Sequence, residues 1–357
     1  LKLRVQSPSS PMRTRDAMDM AGSTGNRRPH RVLDVGSWSD ATQEKAAQEA
    51  AESGHRTRAY WWETLDRDHA GRVIFVRDRK KGLGDIVTIL PAVQTLRRLA
   101  PRTHISMQIH AGFHSLVVGH PDVDEVLTLD VPTPDGRVID LTSPCAEYES
   151  SRLSAGLSLT DSRNVIFARA SGLPVTKELP RLYPAKRDVR RMSQLMSERL
   201  SGSRGVVGLV VRSAERWKDY PWTNHLAALL VKRGYAVCGL DLTREIPVDG
   251  VLPLTGLTLG ELMASLLFLD VLVTPDTGTL HMAEALCVSA VALFGSMSGA
   301  LKADAYVGSQ TRVVQRSNCP VQPCFYARCR GVNRYQPCMT QISPQAVLRK
   351  VREIIDG

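Results

Sequence analysis

The sequence lacks any long uncharged apolar run, which excludes an ordinary membrane-spanning helix. Its N-terminal stretch is polar and rich in proline and serine, so the apolar core of a secretion signal is missing. Cysteine is sparse: seven in 357 residues are too few for a disulfide scaffold and fit a reducing compartment. No fixed-period internal repeat is present, which argues against a repeat architecture. What is there suits a globular protein. Hydrophobic residues make up 43% and charged residues 23%, enough to build a core and to exclude wholesale disorder. The length allows two domains and a remainder. The chain begins with Leu1, and Met12 is the candidate native start.

The net charge of +10 is uneven. Residues 1–69 carry eleven basic and ten acidic side chains and are nearly neutral. Residues 70–110 hold eight basic against two acidic, 181–218 ten against three, and 299–357 nine against three. The intervening blocks 111–180 and 219–298 are each −5. Clustered positive charge concentrates anionic partners: nucleic acid, phosphorylated sugars or anionic lipid surfaces. A solubilising surface is the plainer alternative.

Residues 1–69 read as a leader, largely disordered, with a short helix around Ala41–Ser53. The triplet Tyr60-Trp61-Trp62 reads as a packing anchor rather than a ligand platform. A β/α alternation follows. Arg72–Arg77 is a strand, and Ile86, Ile89, Leu90, Val93, Leu96 and Leu99 share one helix face. Pro91 should kink that helix or sit in its first turns. His104–Ile109 and Glu125–Leu129 read as strands, with a short helix at His114–Val118. Leu182–Ala185 reads as a linker and Arg187–Leu200 as a basic helix. The apolar run Gly205–Arg212 is the central strand of a second sheet. Helix and strand then alternate through Phe294. The fold class is α/β, with two doubly wound halves facing across a cleft: residues 70–184 and residues 185–357. Ligands of such folds sit at the carboxyl ends of the strands, so the cleft is the expected site.

Three loops carry candidate chemistry. Gly82-Leu-Gly84-Asp85 follows a strand and opens a helix, where a phosphate-binding loop would sit. It is neither a dinucleotide fingerprint, since Val87 takes the third glycine position, nor a P-loop. Asp85 is either functional or a simple N-cap. Asp276-Thr277-Gly278-Thr279 joins a strand to a helix whose free N–H groups suit phosphate, with hydroxyls from Thr277 and Thr279. Capping by Asp276 or Thr277 is the alternative. His281, one turn on, faces either ligand or core. Arg212, Arg216 and Lys218 lie in a loop flanked by Trp217 and Trp222, which suggests that it is held in place. Its cations suit a diphosphate.

With these motifs in order, residues 72–357 resemble glycosyltransferase family 9, the heptosyltransferase type, with the GT-B fold. The matching stretches are Gly82–Arg97, Lys218-Asp-Tyr-Pro221, Asp276–Ala283 and Val291-Ala-Leu-Phe-Gly295. The resemblance implies an inverting transferase that needs no catalytic metal. Asp85 would be the general base. Lys218 would meet the donor's phosphates beside Asp276, Thr277 and Gly278, with Thr279, His281 and Arg212 completing the donor site. Lys81, Gly82 and Gly84 would form the phosphate or acceptor loop. Asp241 or Glu245 would contact the donor's ribose. The first loop departs from the family pattern, because Arg79-Lys-Lys81 stands where a smaller, less charged turn is common.

Cys238 and Cys287 fall in apolar elements and read as core thiols. Cys319, Cys324, Cys329 and Cys338 cluster within twenty residues. They can hold structural Zn or Fe, although no Cys-x2-Cys knuckle is present; free or partly disulfide-bonded thiols are the alternative. The expected partners are a nucleotide-diphosphate sugar, ADP-heptose foremost, and a glycan, lipid-linked or protein acceptor. Peripheral docking on an anionic inner membrane from the cytoplasm fits the basic segments. A nucleic-acid partner is not expected, since no such motif is visible. An inactive nucleotide-sugar-binding scaffold is the rival reading.

Overall fold

The computed structural model describes residues 61–65, 71–79, 82–200, 202–240, 246–303, 305–316 and 337–357. The helix expected at Ala41–Ser53 and residues Tyr60, Lys81, Asp241, Glu245, Cys319, Cys324 and Cys329 lie outside them.

Helix α1 (Trp61–Leu65) leads in. Trp62 is buried, and the Trp61 indole donates to the Ser171 carbonyl at 3.1 Å beneath the Arg137 guanidinium, 4.3 Å from its ring. These aromatics are packing anchors, as the sequence favours.

The first sheet starts at β1 (Arg72–Arg77), whose apolar centre is buried on both faces. Helix α2 (Leu83–Leu99) returns the chain to β2 (His104–Ile109). Pro91 lies in the buried interior of α2, not in its first turns, and the helix continues through it. Helix α3 (His114–Val117) and β3 (Glu125–Leu127) follow, then β4 (Arg137–Asp140), α4 (Pro144–Ser154) and α5 (Arg163–Ala170). The strands run parallel in the order β3-β2-β1-β4.

The expected linker is docked rather than loose: Leu182 is fully buried, and the Arg181 N–H donates to Gln94 at 3.0 Å. Helix α6 (Lys186–Leu200) then opens the second half. Strand β5 (Val206–Val210), α7 (Thr223–Val231), β6 (Ala236–Leu240), β7 (Val251–Leu254), α8 (Leu259–Leu266) and β8 (Val271–Pro275) follow. Next come α9 (Gly278–Ala285), β9 (Ala290–Phe294), α10 (Gly299–Ala303), β10 (Thr311–Gln315), α11 (Pro337–Thr340) and α12 (Pro344–Ile355). The six strands are parallel in the order β10-β9-β8-β5-β6-β7, with β5 inside the sheet as expected.

Strands β4, β7 and β10 were not legible, and all are edges. Edge strands need no continuous apolar run: β4 is mostly exposed and β7 carries Pro253. One thiol also departs from expectation. Cys287 is exposed and sits just past the end of α9 with φ 56°, a left-handed terminating position that turns it outward; Cys238 is buried. No helix among the described residues is long and apolar enough to cross a membrane.

Candidate active site

The carboxyl ends of β1 and β8 each feed a helix start. At the first, Gly82 takes φ 103°, a left-handed conformation that glycine adopts freely. A Cβ on Gly82 would also lie 2.8 Å from Asp85 Oδ2. Asp85 is therefore the third residue of α2 rather than its N-cap, and no side chain caps this end.

Asp85 is 5% exposed, and both its oxygens are taken by arginines. Arg77, the last residue of β1, donates from Nη2 to Oδ2 at 2.5 Å and from Nη1 to the Thr142 carbonyl at 2.9 Å. Arg163, the first residue of α5, binds Oδ1 through Nη1 and turns Nη2 to Glu149 Oε1 at 3.1 Å. Burial alone would raise the Asp85 pKa, but Arg163 and Arg77 outweigh it and hold the carboxyl below the usual range.

At the second start, Thr277 occupies the cap position of α9 without capping it; its hydroxyl meets Thr274 Oγ1 at 2.9 Å. No side chain closes the N-terminal N–H groups, which suits an anion. Asp276, its side chain 11% exposed, pairs with Lys218 Nζ at 3.0 Å. Lys218 also meets Glu215 at 2.8 Å and lies 5.0 Å from the Trp217 ring. Burial opposes the charge of Lys218, but Asp276 and Glu215 raise its pKa above the ordinary value. Its loop is fixed as the flanking tryptophans suggested. The Trp222 indole donates to the Thr340 carbonyl at 2.8 Å, and the Tyr220 hydroxyl to the Ile342 carbonyl at 2.9 Å.

The two starts touch. A Cβ on Gly278 would lie 3.0 Å from the Gly84 nitrogen, and one on Gly84 would lie 2.7 Å from His281 Cδ2. Glycine at both positions lets the two backbones approach. His281 is buried at this junction with Nδ1 3.2 Å from Glu284 Oε2, so it braces the contact and faces no open solvent. Arg212 and Thr279 are half-buried near the loop, and Arg212 has no ion-pair partner among the described residues.

Beside the contact is a shallow, solvent-open pocket lined by Trp217, Lys218, Asp276, Leu293, Gly295, Ser296, Met297 and Met339. The Ser296 hydroxyl is buried with no partner among the described residues. Cys338 edges the same wall: a Cβ on Gly295 would lie 3.0 Å from its Sγ. Among the described residues no group of three or more metal-ligating side chains forms, and the other cysteines of the cluster lie outside them.

Sequence reasoning missed Arg77 and Arg163, which hold Asp85, and Glu149 and Lys302, which lie beside Arg163. Glu149, Arg163 and Lys302 sit on helices whose apolar periodicity is too brief to read. Arg77, ending a buried strand just before the glycine loop, was the one available signal.

No curated protein matches the chain. Residues 162–333 match glycosyltransferase family 9 (heptosyltransferase). Among solved structures, the family 9 glycosyl transferase of Veillonella parvula superposes with a TM-score of 0.62 at 17% identity, covering 80% of this chain and 97% of that one. The E. coli ADP-heptose lps heptosyltransferase II gives 0.59 at 17% identity, covering 80% and 98%. The dodecameric iron-containing heptosyltransferase TibC in complex with ADP-D-beta-D-heptose, from E. coli, gives 0.57 at 15%, covering 80% and 77%. Residues 162–333 are thus similar to glycosyltransferase family 9, and the two parallel sheets, which superpose on these structures, give the chain the GT-B fold.

Proposed function

We propose that this chain moves a heptosyl group from ADP-heptose to a hydroxyl of a lipopolysaccharide-core type of glycan acceptor, inverting the anomeric carbon without a catalytic metal. One observation carries this reading: the helix start bearing Asp85 touches the helix start bearing Asp276–Gly278. A carboxylate and a diphosphate cradle therefore flank one spot. Two similar structures are named for ADP-heptose, which supports that donor.

In the reaction Asp85 takes the proton of the acceptor hydroxyl. The oxygen attacks C1 from the side opposite the phosphate, and the C1–O bond breaks with its electron pair leaving on ADP. The N–H groups of α9 and Lys218 receive that charge. Asp85 is a weak base while both arginines hold it. Arg163 is the releasable one: its side chain is 29% exposed against 6% for Arg77, and it is shared with Glu149. An acceptor that draws Arg163 away frees Oδ1 for the proton.

The same clamp favours the rival reading, a nucleotide-sugar scaffold without turnover. Calorimetry with ADP, UDP, GDP and CDP, using Lys218→Ala as control, tests the donor. ADP binding that the variant loses supports ADP-heptose; preference for UDP or GDP moves the sugar to a hexose. A transfer assay on Asp85→Ala separates enzyme from scaffold.

We place the reaction on the cytoplasmic side of an anionic membrane, a reading supported by the exposed Arg187, Arg190 and Arg191 of α6. A lipid-linked acceptor would be presented there. Cys338 braces the pocket wall. Metal analysis of the purified chain distinguishes a Zn or Fe clip from a thiol cluster.

A further inference from the structure

Lys302 stands on α10, beyond the carboxyl end of β9, and its side chain is only 10% exposed. Its one ion-pair partner among the described residues is Glu149 Oε1 at 3.9 Å, too long for a hydrogen bond. That oxygen already accepts from Arg163 Nε at 3.3 Å and Nη2 at 3.1 Å. An ammonium has three protons to place, and burying it without acceptors is costly. Burial and the neighbouring Arg163 push the Lys302 pKa below the ordinary lysine value.

Lys218 is the contrast, because Asp276 at 3.0 Å and Glu215 at 2.8 Å satisfy it. The carboxylates of Asp276 in the second loop and of Asp85 in the first both act on Lys302, which lies within electrostatic reach of each helix start. The loop leading to its helix is held by one side chain. The Gln315 amide donates to the Gly295 carbonyl at 3.3 Å and the Met297 carbonyl at 2.5 Å, and accepts from the Gly299 N–H at 3.0 Å. A buried, under-partnered cation on a rigid mount beside a phosphate loop is preorganised for an anion.

We propose that Lys302 is a second phosphate-binding cation, which takes the sugar-side phosphate of the nucleoside diphosphate while Lys218 holds the loop and the other phosphate. This rests on the donor reading above. It assigns the charge on the leaving group to two lysines from separate elements. When the donor binds, a phosphate oxygen replaces the distant Glu149 carboxylate, and Glu149 keeps Arg163.

The test is calorimetric binding of ADP and of AMP to the full chain, to Lys302→Gln and to Lys302→Arg, with a thermal melt of each. Lys302→Gln should weaken ADP by about 10- to 100-fold, the usual effect of a charged hydrogen bond, and leave AMP within about twofold. Lys302→Arg should restore most of the ADP affinity. If Lys302→Gln binds ADP as tightly as the parent, the proposal is wrong and the donor reading stands. Equal loss of ADP and AMP with a lowered melting temperature also overturns it, since that marks a structural role. Should Lys302→Gln fail to fold, Lys302→Arg decides: ADP affinity as low as that for AMP sinks the proposal. A parent chain that binds neither nucleotide overturns the donor reading and this proposal with it.

Discussion

Asp85 and Asp276 each lie near a helix start that follows a parallel strand, Asp85 as the third residue of α2 and Asp276 just before the cap of α9. Their surroundings differ. Asp85 is pinned by two arginines of its own half, which cannot give up their charge. Asp276 answers to Lys218, with Lys302 adding a more distant positive field. Burial pushes both carboxyls up, and the cations overcome it at both. The first half therefore holds a doubly paired carboxylate, which in the proposed reaction becomes a base only when a partner leaves. The second half keeps its carboxylate as an anchor for a lysine and leaves helix N–H groups open. In the proposed reaction, similar folds at the two loops would serve opposite charges: the acceptor's proton on one side and the departing diphosphate on the other.

The harshest way to break this contrast is Asp85→Asn. Transfer should fall about 10²- to 10⁴-fold while ADP affinity holds, since the base acts only in the chemical step. Transfer that survives would remove Asp85 from the reaction. Stability carries a second sign. Asp85 has a depressed folded pKa, so its contribution is present above the unfolded value of about 3.9 and is lost as pH falls through the folded one. Acid unfolding of the Asn variant should be correspondingly less steep.

Arg163→Gln probes the releasable partner. With that guanidinium gone, burial is less opposed and the Asp85 pKa rises. The acid limb of kcat/KM should move to higher pH, with ADP affinity unchanged. An unmoved limb would mean that Arg163 does not control the base.

The same contrast explains what could be read in advance. Strands β1, β5, β8 and β9 are buried apolar runs, and their glycine and threonine turns announce the loops that follow. Asp85, Lys218 and Asp276–Gly278 could be placed for that reason. The clamp could not. Arg163 and Glu149 lie about 80 and 60 positions from Asp85, on helices of eight and eleven residues with mixed faces. Only folding brings them to its carboxylate. The N-cap alternative for Asp85 fails because Gly82 supplies the turn itself.

A milder break is Gly278→Ala, where the added Cβ would meet Leu83 Cβ at 2.9 Å and the Gly84 nitrogen at 3.0 Å. Backbone cannot yield as a side-chain tip can, so the two helix starts must part. Overpacking of this kind costs about 1–3 kcal/mol. Transfer should drop by roughly tenfold or more, since misplaced partners lose rate steeply. Nucleotide affinity should change less than transfer does. A parent-like rate would show that the close approach of the two starts has no bearing on the chemistry.

The smallest expected effect belongs to Gln315, which touches neither carboxylate. Its amide can sit in only one orientation: Nε2 faces the carbonyls of Gly295 and Met297, and Oε1 faces the Gly299 N–H. Gln315→Ala removes those bonds from the loop that carries Ser296 and leads to Lys302. Each is worth about 0.5–1.5 kcal/mol, so ADP affinity should fall several-fold with the fold intact. Gln315→Glu should be worse than Ala. A carboxylate there cannot donate, and it would press its charge against two carbonyl oxygens. If Glu proves as mild as Ala, solvent reaches this clamp, and the second half is less rigid around its phosphate loop than the contrast with Asp85 requires.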